Sequence, residues 1–312
     1  MKTLSWTVAD MGDQRDLTVL ITGANSGLGL SSARAFAQSG ARVLLGCRSP
    51  ERGGAALKQV QAVATGEAPQ LIEVDLADLQ SVQRASEQVG ESIDRLDVLM
   101  NNAGVMALPL RRTAQGHEMQ FGTNHLGHFA LTARLLPLLL SAPEARVVTT
   151  SSGAHRLGKM RWQDLDWHNG YHKWAAYGQS KLANLMFCFE LQRQADAAKV
   201  QLSSLAAHPG YASTHLQAAG PELSGQALMG RLMDVANNVF AQSADQGALP
   251  QLFAATSPDA VGGCYYGPSG LGEMRGAPCL VQPTSSALKS DEWRQLWSVS
   301  SELTELSFDW PQ

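Results

Sequence analysis

The stretch that decides the fold is Thr22-Gly23-Ala24-Asn25-Ser26-Gly27-Leu28-Gly29. It follows a short apolar run at residues 18–22 and precedes a helical pattern at about residues 27–39. Glycines in such a turn permit a tight bend and let backbone N–H groups approach a pyrophosphate, while the helix N-terminus adds a partial positive charge. A plain turn would also explain the glycines, but their place between the first strand and the first helix favours a dinucleotide site.

Outward from this turn, short apolar runs alternate with helical periods through the first two-thirds of the chain. This alternation is typical of βαβ units and predicts an α/β fold with a Rossmann-type, doubly wound parallel sheet. The predicted strands are residues 18–22, 42–47, 71–75, 97–101, 146–150, 200–206 and 261–267. The predicted helices are at about residues 27–39, 51–64, 78–89, 114–140, 175–197, 245–255 and 291–306. Ligands of such a sheet bind at the carboxyl ends of its strands.

The composition argues against several classes of function. The formal net charge is −4 and the basic residues form no stripe, so neither a nucleic acid nor an anionic membrane is expected as a partner. The longest apolar run, residues 135–140, is far shorter than the ~20 residues that cross a bilayer, and residues 1–16 lack the apolar core of a secretory signal. The four cysteines show no C-x-x-C pair, which predicts reduced thiols and no structural metal. We therefore expect a soluble, cytoplasmic protein.

The end of the second predicted strand carries Cys47 followed by Arg48. An Asp or Glu at this position would accept a hydrogen bond from the 2′-hydroxyl of NAD, whereas a guanidinium pairs with the 2′-phosphate of NADP. The absence of an acid therefore favours NADP(H), although a solvated surface arginine would give the same sequence.

One tyrosine is suited to acid–base chemistry. In Tyr177-Gly178-Gln179-Ser180-Lys181, a helix would place Tyr177 and Lys181 one turn apart on the same face. Lowering a phenol pKa from about 10 to about 7 requires roughly 4 kcal/mol, and an ammonium at ~4 Å supplies an energy of that size, to which an oxidised nicotinamide adds. Four residues after the other tyrosines (Tyr171, Tyr211, Tyr265 and Tyr266) stand Ala175, His215, Ser269 and Gly270. An exposed pair without function is the alternative.

Together these motifs resemble the short-chain dehydrogenase/reductase family over nearly the whole chain. The glycine turn matches that family's T-G-x-x-x-G-x-G, and Asn101-Asn102-Ala103-Gly104 matches its N-N-A-G. Tyr177 with Lys181 matches its Y-x-x-x-K, and Pro209-Gly210 followed by Thr214 looks like its P-G-x-x-x-T. Each motif is weak alone, but their order and separations are specific.

The resemblance implies an NADP(H)-dependent oxidoreductase that transfers a hydride between the nicotinamide and a ketone, an aldehyde or a secondary alcohol. In that scheme Tyr177 exchanges the proton, while Lys181 lowers the Tyr177 pKa and holds the nicotinamide ribose. Ser152 orients the substrate carbonyl, and Asn124 holds a water against the lysine. Without the family match, a local cap or an ordinary helix residue would explain Ser152 and Asn124 equally well.

The resemblance also implies a set of cofactor contacts, in which Asp75 meets the adenine amino group and Thr214 meets the nicotinamide carboxamide. The implied cofactor-binding residues are Thr22, Gly23, Asn25, Ser26, Gly27, Leu28, Gly29, Arg48, Asp75, Leu76, Asn102, Ala103, Gly104, Tyr177, Lys181, Pro209, Gly210 and Thr214.

Ser152 and Tyr177 are separated by about one loop more than in the shortest family members. With the segments 151–155, 262–268 and 297–303, this looks like the branch that holds retinol dehydrogenases, the WW-domain oxidoreductase and light-dependent protochlorophyllide reductase. The hydrophobic N-terminal anchor of many retinol dehydrogenases is absent, so membrane association is not expected. The histidines and tryptophans of the added loop favour aromatic packing over a metal site.

A single domain is predicted, because no repeat or linker divides the chain. Residues 16–210 would form the dinucleotide-binding and catalytic core, 211–243 a substrate lid, and 244–312 the last helix, strand and C-terminal helix. The leucines and methionines of the lid favour a bulky, apolar, uncharged substrate, unless they only pack the lid onto the domain. A non-catalytic NADP-binding regulator and a light-dependent tetrapyrrole reductase are the alternatives, and a homo-oligomer stays open.

Overall fold

A computed structural model describes residues 5–210 and 243–311. In these residues one sheet has the strand order β3-β2-β1-β4-β5-β6-β7-β8, and all neighbours are parallel except the antiparallel pair β7 and β8. The strands are β1 (Thr18–Thr22), β2 (Arg42–Cys47), β3 (Gln70–Glu73), β4 (Val98–Asn101), β5 (Ala145–Thr150), β6 (Leu202–Ala207), β7 (Tyr265–Pro268) and β8 (Pro278–Leu280). The sheet confirms the predicted Rossmann-type, doubly wound α/β fold.

Helices cover both faces of this sheet. They are α1 (Gly27–Gln38), α2 (Pro50–Gln61), α3 (Leu79–Ser92), α4 (Met119–Phe121), α5 (Gly127–Leu140), α6 (Lys173–Ala198), α7 (Ala244–Thr256) and α8 (Ser290–Thr304). A π-helical turn, Gly122–Leu126, joins α4 to α5, and a 3₁₀ turn, Gly153–Leu157, follows β5. None of the helices in the described part of the chain is both long and apolar enough to cross a membrane.

Alternate residues of β1 enter two different cores. Val19 and Ile21 pack with Phe36 of α1 and Phe253 of α7, whereas Leu20 packs on the other face with α3, α5 and α6. All three strand residues are at most 1% exposed. Burial of both faces explains why the predicted strands are continuous apolar runs rather than alternating ones.

Two predicted elements differ from the structure by four residues or more at one end. The helix predicted at residues 114–140 begins only at Met119, because Arg112 and Glu118 pair in a short antiparallel bridge and the Thr113 N–H donates to the His117 carbonyl. The strand predicted as the last, residues 261–267, is Tyr265–Pro268 and is followed by the unpredicted β8. β8 has only three residues and begins with proline, so it carries no periodic signal.

The strand order reverses between β1 and β4, which are neighbours although β2 and β3 separate them in the chain. A crevice therefore opens outside the carboxyl ends of these two strands, where ligands of doubly wound sheets bind. The glycine turn follows β1 and residues 102–104 follow β4. Residues 211–242 of the predicted lid lie outside the described residues, so the division into core, lid and C-terminal part stays a prediction.

Candidate active site

The glycine turn is shaped by close backbone approaches. Gly23 and Gly27 have φ values of +68° and +53°, in the left-handed region that favours glycine. A Cβ on Gly29 would lie 2.4 Å from the Gly23 carbonyl oxygen and 2.7 Å from Asn102 Nδ2. Ser26 begins α1 without a side-chain cap, which leaves the first-turn N–H groups open to another acceptor. The turn therefore fits a dinucleotide pyrophosphate.

Thr22 holds this turn against the segment that follows β4. Its side chain is fully buried, and its hydroxyl oxygen accepts the N–H groups of Asn102 and Ala103, both at 3.0 Å. Its carbonyl accepts from Asn102 Nδ2 at 2.7 Å. Thr22 thus positions the predicted cofactor-binding residues Asn102 and Ala103 rather than exposing its own hydroxyl.

Three of the predicted catalytic side chains meet beyond the end of β5. Ser152 begins the 3₁₀ turn there, and its hydroxyl lies within hydrogen-bonding reach of the Tyr177 hydroxyl. Lys181 Nζ lies 5.9 Å from the centre of the Tyr177 ring and donates to the Thr150 carbonyl at 3.0 Å. Tyr177 and Lys181 are 7% and 4% exposed. The structure therefore brings Ser152, Tyr177 and Lys181 together in a nearly dry site.

The charges of this site differ from the prediction. Burial raises the pKa of Tyr177 to about 12, and the hydrogen bond with Ser152 is the cause that opposes it. Burial also lowers the pKa of Lys181 to about 8. The prediction that Lys181 brings the pKa of Tyr177 close to neutrality is therefore wrong for the protein's own groups. The Lys181 ammonium is bonded to the Thr150 carbonyl and does not offset the hydration that a buried Tyr177 phenolate would lose.

Asn124 lies in the π-helical turn, beside the same site. Its Oδ1 accepts from the Val105 N–H at 2.8 Å, and its Nδ2 donates to the Val105 carbonyl at 3.0 Å and to the Ser180 hydroxyl at 2.9 Å. A Cβ on Gly104 would lie 3.1 Å from Asn124 Oδ1 and 3.4 Å from Lys181 Nζ. Both N–H groups of the Asn124 amide already donate hydrogen bonds within the protein. The side chain therefore holds the segment after β4 in place.

The predicted adenosine contacts lie at the ends of β2 and β3. Burial raises the pKa of the Cys47 thiol to about 11, although the Ala24 N–H and Arg52 oppose this. Arg48 is exposed and, among residues 5–210 and 243–311, has no hydrogen-bond or ion-pair partner. Asp75 is half-buried, and its Oδ1 accepts from the Ala77 N–H at 3.0 Å.

The remaining predicted contacts are divided between the described and the undescribed parts of the chain. Leu76 is buried, and its carbonyl oxygen would lie 2.4 Å from a Cβ on Gly127, so it packs against the start of α5. Pro209 and Gly210 follow β6 at the same edge, and Gly210 has a φ of +68°. Thr214 lies outside the described residues.

One residue near the site was missed by the sequence analysis. Gln251, in α7, is 2% exposed; its Nε2 donates to the Ser32 hydroxyl at 2.8 Å and to Asn102 Oδ1 at 3.3 Å. Its Oε1 accepts from the Thr150 hydroxyl at 3.1 Å. Gln251 therefore links α1, the segment after β4 and the strand end that holds Lys181. No local signal could have found it, because 219 residues separate it from Ser32.

The histidines of the added loop have protein partners. His155 Nδ1 donates to the Ser152 carbonyl at 2.7 Å, and burial lowers its pKa to about 4. His172 caps α6 by accepting from the Ala175 N–H at 3.3 Å, and His168 lies 3.5 Å from an Arg112 nitrogen. Among residues 5–210 and 243–311, no three His, Cys, Asp or Glu side chains lie close enough to hold a metal ion.

The sheet is open, and a glycine turn lies at the point where its strand order reverses. Ser152, Tyr177 and Lys181 meet beside that turn. Together these features define a Rossmann-type oxidoreductase. The family model described as short chain dehydrogenase matches residues 17–222. The chain is also 38% identical over 303 residues to retinol dehydrogenase 14 from Mus musculus, covering 93% of this chain and 86% of that protein. The chain belongs to the short-chain dehydrogenase family, in the retinol dehydrogenase branch.

Solved structures agree with this assignment. An uncharacterized protein from Mycobacterium Paratuberculosis has a TM-score of 0.80 and 40% identity, covering 97% of this chain and 99% of that one. A short chain dehydrogenase from Escherichia coli CFT073, complexed with NADPH, has a TM-score of 0.56 and 27% identity, covering 67% of this chain and 83% of that one.

Proposed function

We propose that this protein is an NADP(H)-dependent oxidoreductase that interconverts an alcohol and the corresponding aldehyde or ketone. The observation that carries the proposal is the meeting of Ser152, Tyr177 and Lys181 beside the crevice at the end of β1 and β4. A bound nicotinamide supplies or accepts the hydride.

In this proposal the protein's own residues hold the substrate oxygen and move its proton. The Ser152 hydroxyl orients the oxygen, and the Tyr177 hydroxyl gives the proton to it during reduction or takes it during oxidation. Lys181 keeps a donor beside the cofactor ribose. Because the pKa of Tyr177 is raised to about 12, the phenol that reduction requires is the resting form at neutral pH. For oxidation, the positive charge of the oxidised nicotinamide would favour the phenolate.

NADP(H) is proposed over NAD(H) because of two observations at the end of β2. The buried Cys47 stays a neutral thiol where an acid would accept the ribose 2′-hydroxyl of NAD. The neighbouring Arg48 is exposed and has no ion-pair partner in the described part of the chain, so its guanidinium can pair with a phosphate. The NADPH that accompanies the 27% identical structure supports this choice.

Replacing Arg48 with alanine tests the cofactor preference. An arginine–phosphate pair with charge-assisted hydrogen bonds in a partly exposed site contributes roughly 1.5–3 kcal/mol, so the NADPH Kd should rise about ten- to a hundredfold while the NADH Kd stays unchanged. Isothermal titration of both cofactors measures this. Arg294→Ala, which removes an equal charge from α8, should change neither Kd. Equal affinities of the wild type for NADPH and NADH would contradict the assignment of Arg48.

The proposed substrate is bulky, apolar and uncharged. Leu157, on the 3₁₀ turn that Ser152 begins, is apolar and 71% exposed. The similarity to the relative named retinol dehydrogenase 14 extends over 93% of the chain, which supports a related alcohol or aldehyde as the substrate. The sequence of the predicted lid, outside the described residues, has Arg231 as its sole Lys or Arg and so offers no cation cluster for a phosphate or a CoA thioester.

The substrate class is tested by comparing kcat/KM across a panel. We expect kcat/KM for long apolar aldehydes, ketones and alcohols to exceed that for sugars, short hydroxy acids and CoA thioesters by at least about tenfold. A preference for the polar or anionic compounds would contradict the proposal. Assays in the dark and in light separate it from a light-dependent tetrapyrrole reductase. Tight NADPH binding without turnover would favour the regulator instead. A cytoplasmic location and a homo-oligomer stay predictions.

A further inference from the structure

His128 lies in the first turn of α5 and is buried, with 1% of its surface exposed. Its Nδ1 lies 2.9 Å from the Asn124 carbonyl oxygen. Its Nε2 lies 2.9 Å from the Thr22 hydroxyl oxygen. One imidazole therefore bridges the π-helical turn that contains Asn124 and the start of the glycine turn.

These partners allow a single tautomer. Burial lowers the pKa of His128 to about 4, with a smaller contribution from the charge of Lys181, so the ring is neutral and carries one N–H. The Asn124 carbonyl can only accept, so the hydrogen is on Nδ1. Nε2 is then a bare acceptor, and the Thr22 hydroxyl must donate to it.

The direction of the Thr22 hydroxyl matters for the cofactor site. With its hydrogen aimed at His128, both lone pairs are free to accept the N–H groups of Asn102 and Ala103. The other acceptor near the hydroxyl is the Met100 carbonyl, at the longer distance of 3.2 Å. Without a bare nitrogen at position 128, the hydroxyl would turn toward that carbonyl and its lone pairs would leave the two N–H groups.

The other nitrogen acts on the catalytic side. The π-helical turn is irregular, and the His128 Nδ1–H satisfies the carbonyl of Asn124 within it. The side chain of Asn124 in turn clamps Val105, next to Gly104 and the Lys181 ammonium. Loss of the Nδ1 bond would let Asn124 move relative to Lys181.

We propose that His128 is a positioning residue that holds the cofactor-binding turns through Thr22 and the catalytic turn through Asn124, each with one ring nitrogen. This inference rests on the proposed oxidoreductase function. The two ring nitrogens should have separable effects. The hydrogen bond at Nε2 should affect the affinity for the cofactor, and the hydrogen bond at Nδ1 should affect turnover.

Two amide variants separate the effects, because asparagine places an N–H near the position of Nδ1 and glutamine an oxygen near that of Nε2. His128→Asn should raise the NADPH Kd about tenfold and change kcat by less than about threefold, the scale of one lost hydrogen bond. His128→Gln should lower kcat about tenfold and change the Kd by less than about threefold. The matched control is His125→Gln, a buried neighbour bonded to the Ser300 hydroxyl of α8, which should lower the melting temperature without either separated effect.

The tautomer can be measured without any variant. NMR of ¹⁵N-histidine-labelled wild type should show that His128 is protonated at Nδ1 and not at Nε2. This measurement needs no known substrate. An Nε2–H tautomer would overturn the inference. So would a result in which each amide variant raises the NADPH Kd and lowers kcat to the same extent. A different result would contradict the proposed function itself: a wild type that binds NADPH but turns over no alcohol or carbonyl compound.

Discussion

Replacing Tyr177 with phenylalanine is expected to lower kcat by roughly two to four orders of magnitude, the usual contribution of one acid–base group. The ring would remain in its place, since Tyr177 is 7% exposed and its ring packs edge-on against Trp174 at 6.4 Å. Only the hydroxyl that reaches Ser152 is removed. NADPH affinity should therefore stay close to that of the wild type, which isothermal titration measures beside steady-state kinetics.

A second tyrosine provides the control for this variant. The Tyr266 hydroxyl accepts from the Val261 N–H at 2.9 Å, in a part of the chain that contributes nothing to the proposed chemistry. Tyr266→Phe should lower the melting temperature slightly and leave kcat within about threefold of the wild type, because one ordinary hydrogen bond is lost. Near-normal turnover of Tyr177→Phe, with the cofactor bound, would remove Tyr177 from the mechanism.

Lys181→Met is expected to lose turnover by about a hundredfold or more and yet to be at least as stable as the wild type at pH 7. Burial lowers the pKa of Lys181 from its ordinary 10.5 to about 8, so its charged form costs the folded state about 3 kcal/mol. Methionine removes that cost. The Thr150 carbonyl does not become unpaired, because Asn184 Nδ2 also donates to it at 3.0 Å.

The buried Lys181 also sets the direction in which the free energy of unfolding changes with pH. Between pH 8 and 10.5 the unfolded chain still binds the Lys181 proton while the folded protein has released it, so wild-type stability rises with pH there. From pH 7 to pH 9.5 the wild type should gain about 2 kcal/mol in free energy of unfolding relative to Lys181→Met. Urea denaturation at both pH values measures this difference.

An exposed lysine serves as the control for this experiment. Lys58 lies on the surface of α2, so Lys58→Met makes the same side-chain change away from the buried site and is measured at the same two pH values. A constant difference between Lys181→Met and the wild type would show that Lys181 keeps its ordinary pKa in the folded protein.

The elements found from sequence are the long ones: strands that form continuous buried apolar runs, and the helices that lie between them. The observed bounds of β1 and β2 agree with the predicted residues 18–22 and 42–47, and α1 and α6 differ from their predictions by at most two residues. β8 and the late start of the helix after residue 114 were missed, because three strand residues and a short bridge carry no period.

The sequence by itself determined the parallel sheet, the glycine turn and the placement of Tyr177 and Lys181 on one helix face, because these depend on spacing within a few residues. Only the tertiary structure decided the charges of that pair, because burial is a property of the whole site. It also decided the partners of Thr22 and Ser32, because His128 and Gln251 lie 106 and 219 residues away along the chain and meet them only when the sheet and its helices assemble.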